Sequence, residues 1–96
     1  MKPLEALTQN RDAIRTIVSR FRVTNPRVFG SVVHGNDKEG SDLDLLVDAL
    51  HGVTLVDLCS LQNQLQDLLG ISVDLRTPED ISTWFRDEVL SEATPL

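Results

Sequence analysis

The chain has 96 residues, nine Lys plus Arg against fifteen Asp plus Glu, and a formal net charge of -6. That length holds one domain, here expected over 1–96, with a modest core burying roughly 60–65% of the unfolded surface. At 41% hydrophobic and 25% charged residues the composition is that of an ordinary globular chain, and the acidic balance with no basic run argues against direct nucleic-acid binding.

Cys59, the single cysteine, cannot form an internal disulfide and is expected as a small buried side chain in the stretch Leu55 to Leu61. No basic start with an apolar run and no stretch of about eighteen apolar residues is present, so no membrane segment and a cytoplasmic location are expected.

Between residues 4 and 21, Leu4, Leu7, Ile14, Ile17, Val18 and Phe21 fall on one face of a first helix. Asn25-Pro26 should break it, and Arg27-Val28-Phe29 reads as a short first strand ending on Gly30-Ser31. The polar run Asn36 to Ser41 is a surface loop. Asp42 to Asp48 reads as a second strand, with Asp42 and Asp44 on one face and Leu43, Leu45 and Val47 on the other.

Thr54 and Asp57 resemble a capping box, and leucines at helical spacing run to a stop at Gly70, giving a second helix over 55–69. Ile71 to Arg76 alternates again as a third strand, its polar face carrying Ser72, Asp74 and Arg76. Thr77-Pro78-Glu79-Asp80 predicts the start of a third helix that buries Ile81, Trp84, Phe85 and Val89. The order predicts an α/β (α+β) fold: a small mixed sheet flanked by helices.

Asp42 and Asp44 lie roughly 6–7 Å apart along a strand face, and Asp74 joins them if the second and third strands are neighbours. Three carboxylates without a cation repel one another, and an oxygen-only donor set suits Mg²⁺ or Mn²⁺ rather than zinc. Gly30-Ser31 allows close approach of an anion to the backbone, reinforced if a short helix opens at Val32. Phosphate on one side and carboxylates on the other is the layout expected of a magnesium-nucleotide site for in-line transfer.

Gly30-Ser31, ten residues, then Asp42-Leu43-Asp44 resembles the GS-x10-DxD signature of the polymerase-β-like nucleotidyltransferase superfamily. Val28 to Ser31 and Ser41 to Val47, with Val73 to Pro78 and Glu88-Val89-Leu90, are similar to its minimal MNT branch over most of the chain. The resemblance implies that Asp42 and Asp44 hold two Mg²⁺ ions, that Gly30 and Ser31 hold the phosphates of ATP, and that Asp74 binds the second metal and helps deprotonate the acceptor. It also implies an antitoxin that transfers AMP to a tyrosine of a HEPN-domain ribonuclease toxin, the acceptor coming from that partner because so short a chain has little left for an acceptor domain. Where many relatives have Ala-Arg-Gly, this chain has Val33-His34-Gly35. A neutral His is a weaker phosphate partner than Arg, which keeps open an antitoxin that works by occlusion alone.

Arg76 is expected to pair with a carboxylate, Asp48 to be a strand-end acid, and His51 to be a turn residue.

Overall fold

The computed structural model describes residues 1–96. In chain order its elements are α1 (Pro3–Val18), β1 (Val23–Phe29), β2 (Leu43–Ala49), α2 (Leu55–Leu69), β3 (Val73–Arg76), α3 (Thr83–Glu92) and β4 (Thr94–Pro95), with short 3-10 turns at Gly30–Val32 and Pro78–Asp80. The strands form one sheet in the order β3-β2-β1-β4. β1 is antiparallel to β2 and to β4, while β2 and β3 run parallel, so the sheet is mixed as expected.

Alternation along β2 decides which side of the sheet is covered. Leu43, Leu45 and Val47 are buried in one cluster with Leu7, Ile14 and Val18 of α1 and Leu61, Leu65 and Leu69 of α2. Burying a leucine in this way contributes about 1.5–3 kcal/mol, so this layer is what holds β2 in place. Leu46 and Ile81 are also buried but lie outside that cluster. The opposite side of β2 carries Asp42, Asp44 and Asp48, with the buried Leu46 between the last two.

The ends of α2 follow the sequence. Thr54 and Asp57 exchange hydrogen bonds at 3.1 and 2.9 Å, and Gly70 closes the helix in the left-handed region at φ 67°. Cys59, however, is exposed, not buried, and Leu55 is 79% exposed. The turn of helix that buries Leu61, Leu65 and Leu69 carries Leu55 and Cys59 round to solvent.

Three other expectations are corrected. The helix ends at Val18, before Phe21, and the first strand begins at Val23 and runs through Asn25-Pro26. A register shift between Thr24 and Arg27, with Asn25 at φ 54°, forms a bulge that accommodates a proline unable to donate to the ladder. The third helix starts late: the Thr77 side chain does not cap it but donates, like the Thr77 N–H, to the Asp80 carboxylate at 3.1 Å, only one 3-10 turn follows, and α3 restarts on Ser82, which accepts from the Trp84 N–H. The restart turns Ile81 inward and leaves Trp84 87% and Phe85 59% exposed, so these two aromatics are not core. β4, two residues opposite Arg27 and Val28, is too short to leave a periodic signal.

The loop before β2 is tied down at its far side. Asp37 accepts from the Leu4 N–H at the start of α1, and Glu39 pairs with the N-terminal amine at 2.7 Å. No helix is long and apolar enough to cross a membrane.

Candidate active site

The site is built where β1 ends beside the start of β2. Gly30 opens the 3-10 turn with φ +74°, a conformation that L side chains rarely adopt. A Cβ there would lie 2.1 Å from Oδ2 of Asp44, so glycine is required both by the backbone and by the neighbouring carboxylate. The expected helix opening at Val32 is instead this tighter turn, beginning two residues earlier, with the Val33 and His34 N–H groups donating to the Gly30 carbonyl at 3.1 and 3.2 Å.

Asp42 is exposed at the entrance to β2, and Asp44 is half-buried one pleat further on. In the parallel β2–β3 pair Asp44 is the direct partner of Asp74, and in the antiparallel β1–β2 pair it is the partner of Phe29. Adjacent strands are about 4.8 Å apart, so Asp44 and Asp74 face each other at close range while Asp42 flanks them. The three carboxylates and the Gly30-Ser31 turn are therefore brought together on one face.

This crowding has an electrostatic signature. The Asp44 carboxyl is pushed up to about 6, chiefly by burial, then by the negative charges of Asp74 and Asp42, with Arg76 and the Ser31 backbone N–H pulling the other way. Arg76 balances Asp74 directly, its Nε donating to both carboxylate oxygens at 3.3 and 3.1 Å, so the expected pairing of Arg76 is what the fold shows. No three His, Cys, Asp or Glu side chains already enclose a common point. The hard oxygen donors, with Arg76 alone set against three carboxylates, nevertheless fit a divalent cation that takes one or two carboxylates and completes its shell with phosphate oxygens and water.

Asp48 shares the parity of Asp42 and Asp44 but is withdrawn from the site. It pairs with Arg27 at 2.6 Å and accepts from Asn25 Nδ2 at 3.1 Å. His51 occupies a turn, as expected. His34 pairs instead with α3, its Nε2 lying 2.9 Å from Glu92.

A cleft of about 300 Å³ opens on Gly30, lined also by Phe29, His34, Phe85, Val89 and Glu92. Sequence reasoning missed Phe29 and Glu92 as neighbours of the site, because α3 is brought there by the turn at Thr77 and not by any local pattern. A slightly larger hollow of about 340 Å³ between Arg15, Val23 and Leu96 contains none of the acids.

A family model described as a nucleotidyltransferase domain matches residues 11–96. The chain is 37% identical over 86 residues to protein adenylyltransferase MntA of Thermococcus cleftensis, covering 90% of this chain and 84% of that one. A solved structure described as a candidate minimal nucleotidyltransferase is 42% identical and superposes with a TM-score of 0.86 over 97% of this chain and 95% of its own. At 20% identity and a TM-score of 0.69, the same fold is found in a Shewanella oneidensis complex of a tri-AMPylated HEPN toxin with its MNT antitoxin, over 92% of this chain and 69% of that one.

Proposed function

The chain belongs to the nucleotidyltransferase domain family, and we propose that residues 1–96 form one domain acting as a Mg²⁺-dependent protein adenylyltransferase. In this reading it transfers AMP from ATP to a hydroxyl, expected to be a tyrosine, of a HEPN-domain ribonuclease toxin and so neutralises it. The observation that carries the reading is the position of Asp44, against the Gly30-Ser31 turn on one side and opposite Asp74 on the other. In this reading the Gly30-Ser31 turn receives the phosphates beside the carboxylates that receive the cation, and use of ATP fits a cytoplasmic location.

Gly30 and Ser31 hold phosphates: the glycine lets the turn close against Asp44, and the Ser31 hydroxyl can donate to an anion beside it. Asp42 and Asp44 would hold Mg²⁺, with Asp74 the third carboxylate, and the bound ions would neutralise charge on the phosphates and on the leaving pyrophosphate. The acceptor hydroxyl oxygen forms a bond to the α-phosphorus as the bond from that phosphorus to pyrophosphate breaks. The hydroxyl proton passes to Asp74, the carboxylate paired with Asp44 across the β2–β3 ladder. A bulky anionic adenylate on a ribonuclease then hinders RNA by repulsion and obstruction.

The exposed Trp84 and Phe85, the latter lining the cleft at Gly30, support a protein acceptor, since large exposed aromatics mark interaction surfaces. One observation favours the second reading, an antitoxin that only occludes its partner: His34, at the position where the family resemblance leads one to expect Arg, is engaged by Glu92. Incubation of the chain with Mg²⁺, a HEPN-domain partner and ATP labelled at either the α- or the γ-phosphate separates the two. Label passing to the partner from the α-position alone, and lost in Asp42→Asn, supports adenylyl transfer. A stable unlabelled complex supports occlusion.

A further inference from the structure

β3 is a four-residue strand at the edge of the sheet, held along one side by β2. The Leu43 N–H donates to the Ser72 carbonyl at 2.9 Å in the register that pairs Leu43 with Val73. In a parallel ladder of that register the N–H groups of Val73 and Leu75 point away from β2, toward the open edge. They do not meet water there. The Val73 N–H donates to Oε1 of Gln66 and the Leu75 N–H to Oε1 of Gln62, each at 3.0 Å.

The spacing makes this a two-point grip. Gln62 and Gln66 are four residues apart, about 6 Å along α2. Val73 and Leu75 are two residues apart, about 6.6 Å along β3. The residue between the two gripped amides is Asp74. We propose that Gln62 and Gln66 are positioning residues that clamp β3 to α2 and thereby hold Asp74 opposite Asp44.

A clamp is needed because like charges directly opposite one another on neighbouring strands push the pair apart. Arg76 cannot supply it: two residues along the same strand, it balances the charge of Asp74 without tying β3 to anything else. α2 is anchored by its buried leucines and by both caps, so it is a fixed support for the grip. The inference rests on the reading of Asp74 as a site carboxylate, and the test separates the two.

The full chain is tested with Mn²⁺ and AMP-PNP, alongside amide hydrogen exchange. In the wild type the Val73 and Leu75 amides should be protected despite their edge position. Gln62→Met and Gln66→Met, singly and together, should open the facing amide and, in the double variant, weaken Mn²⁺ binding about 10-fold, the scale seen when outer partners of metal ligands are lost. Binding of AMP-PNP without metal should stay unchanged, and Gln66→Glu, which keeps an acceptor oxygen, should restore the protection that Gln66→Met loses. Free exchange of both amides in the wild type would overturn the proposal. So would unchanged Mn²⁺ binding in the Met variants when Asp74→Asn weakens it. If Asp74→Asn itself leaves Mn²⁺ binding intact, the assignment of Asp74 falls and the clamp has nothing to position. The single variants keep the test open should the double variant fail to fold.

Discussion

Asp44 sits directly opposite Asp74 across the parallel β2–β3 pair, with the backbone of Gly30 so close that a single added methyl would meet the Asp44 carboxylate at 2.1 Å. Charge and space are both constrained at this point, and each constraint gives a measurable consequence.

The first concerns pH. Because the folded-state value of Asp44, about 6, lies above its unfolded value of 3.8, the folded chain holds that proton more tightly than the unfolded one. The resulting stabilisation is full below about pH 4 and is lost as pH rises through 6. Asp44→Asn should therefore be more stable than the wild type at pH 8 without metal, by about 1–2 kcal/mol after allowing for the water that still screens the group, and no more stable at pH 4. Urea unfolding at the two pH values checks this. A variant less stable at pH 8 would mark Asp44 as a structural acid.

Gly30→Ala should cost about 3 kcal/mol, combining left-handed strain with the collision at Asp44, and should abolish nucleotide binding. Gly35→Ala makes the matched control. Gly35 has a similar φ of +71° but nothing within 4 Å of its absent Cβ, so only the backbone cost of about 1 kcal/mol should appear and ATP should still bind. Denaturant midpoints and ATP titrations of the two variants make the comparison.

Magnesium should tighten ATP binding in the wild type about 10-fold or more, and much less in Asp42→Asn, where one hard ligand is lost from the exposed edge of the site. Calorimetric titration of ATP with and without Mg²⁺ measures both. Equal dependence in the two proteins would remove Asp42 from the metal site.

Asp48 has the same strand parity as Asp42 and Asp44 but a different partner. Its loss strands the Arg27 guanidinium, whose side chain is only 11% exposed. Asp48→Ala should cost about 1–3 kcal/mol of stability and leave Mg²⁺-dependent ATP binding as it was. Weakened binding at unchanged stability would place Asp48 in the site instead.

These contrasts show where the sequence was readable. Asp42 and Asp44 share a face because a strand alternates with period two, and the caps at Thr54 and Gly70 act within one turn of helix, so both are local features that a single sequence displays. The pairing of Asp44 with Asp74 depends on which strands become neighbours, a long-range relationship across α2 that no local pattern in either strand carries. Trp84 and Phe85 fit a buried stripe on paper. Ser82 caps a new helix two residues beyond the Thr77 turn and rotates that stripe outward. Cys59 is exposed for a similar reason: in a leucine-rich helix, face and not neighbourhood sets burial. The Asn25-Pro26 break is real, yet a bulge absorbs it inside β1.

The most direct test of the central claim is intact-mass spectrometry of a HEPN-domain partner purified with this chain, after incubation with ATP and Mg²⁺, beside the Asp42→Asn and Asp44→Asn proteins. The account predicts a mass gain of one or more adenylates on the partner with the wild-type chain and none with either variant. A complex that forms but shows no gain, or a gain that persists without the two carboxylates, would contradict it.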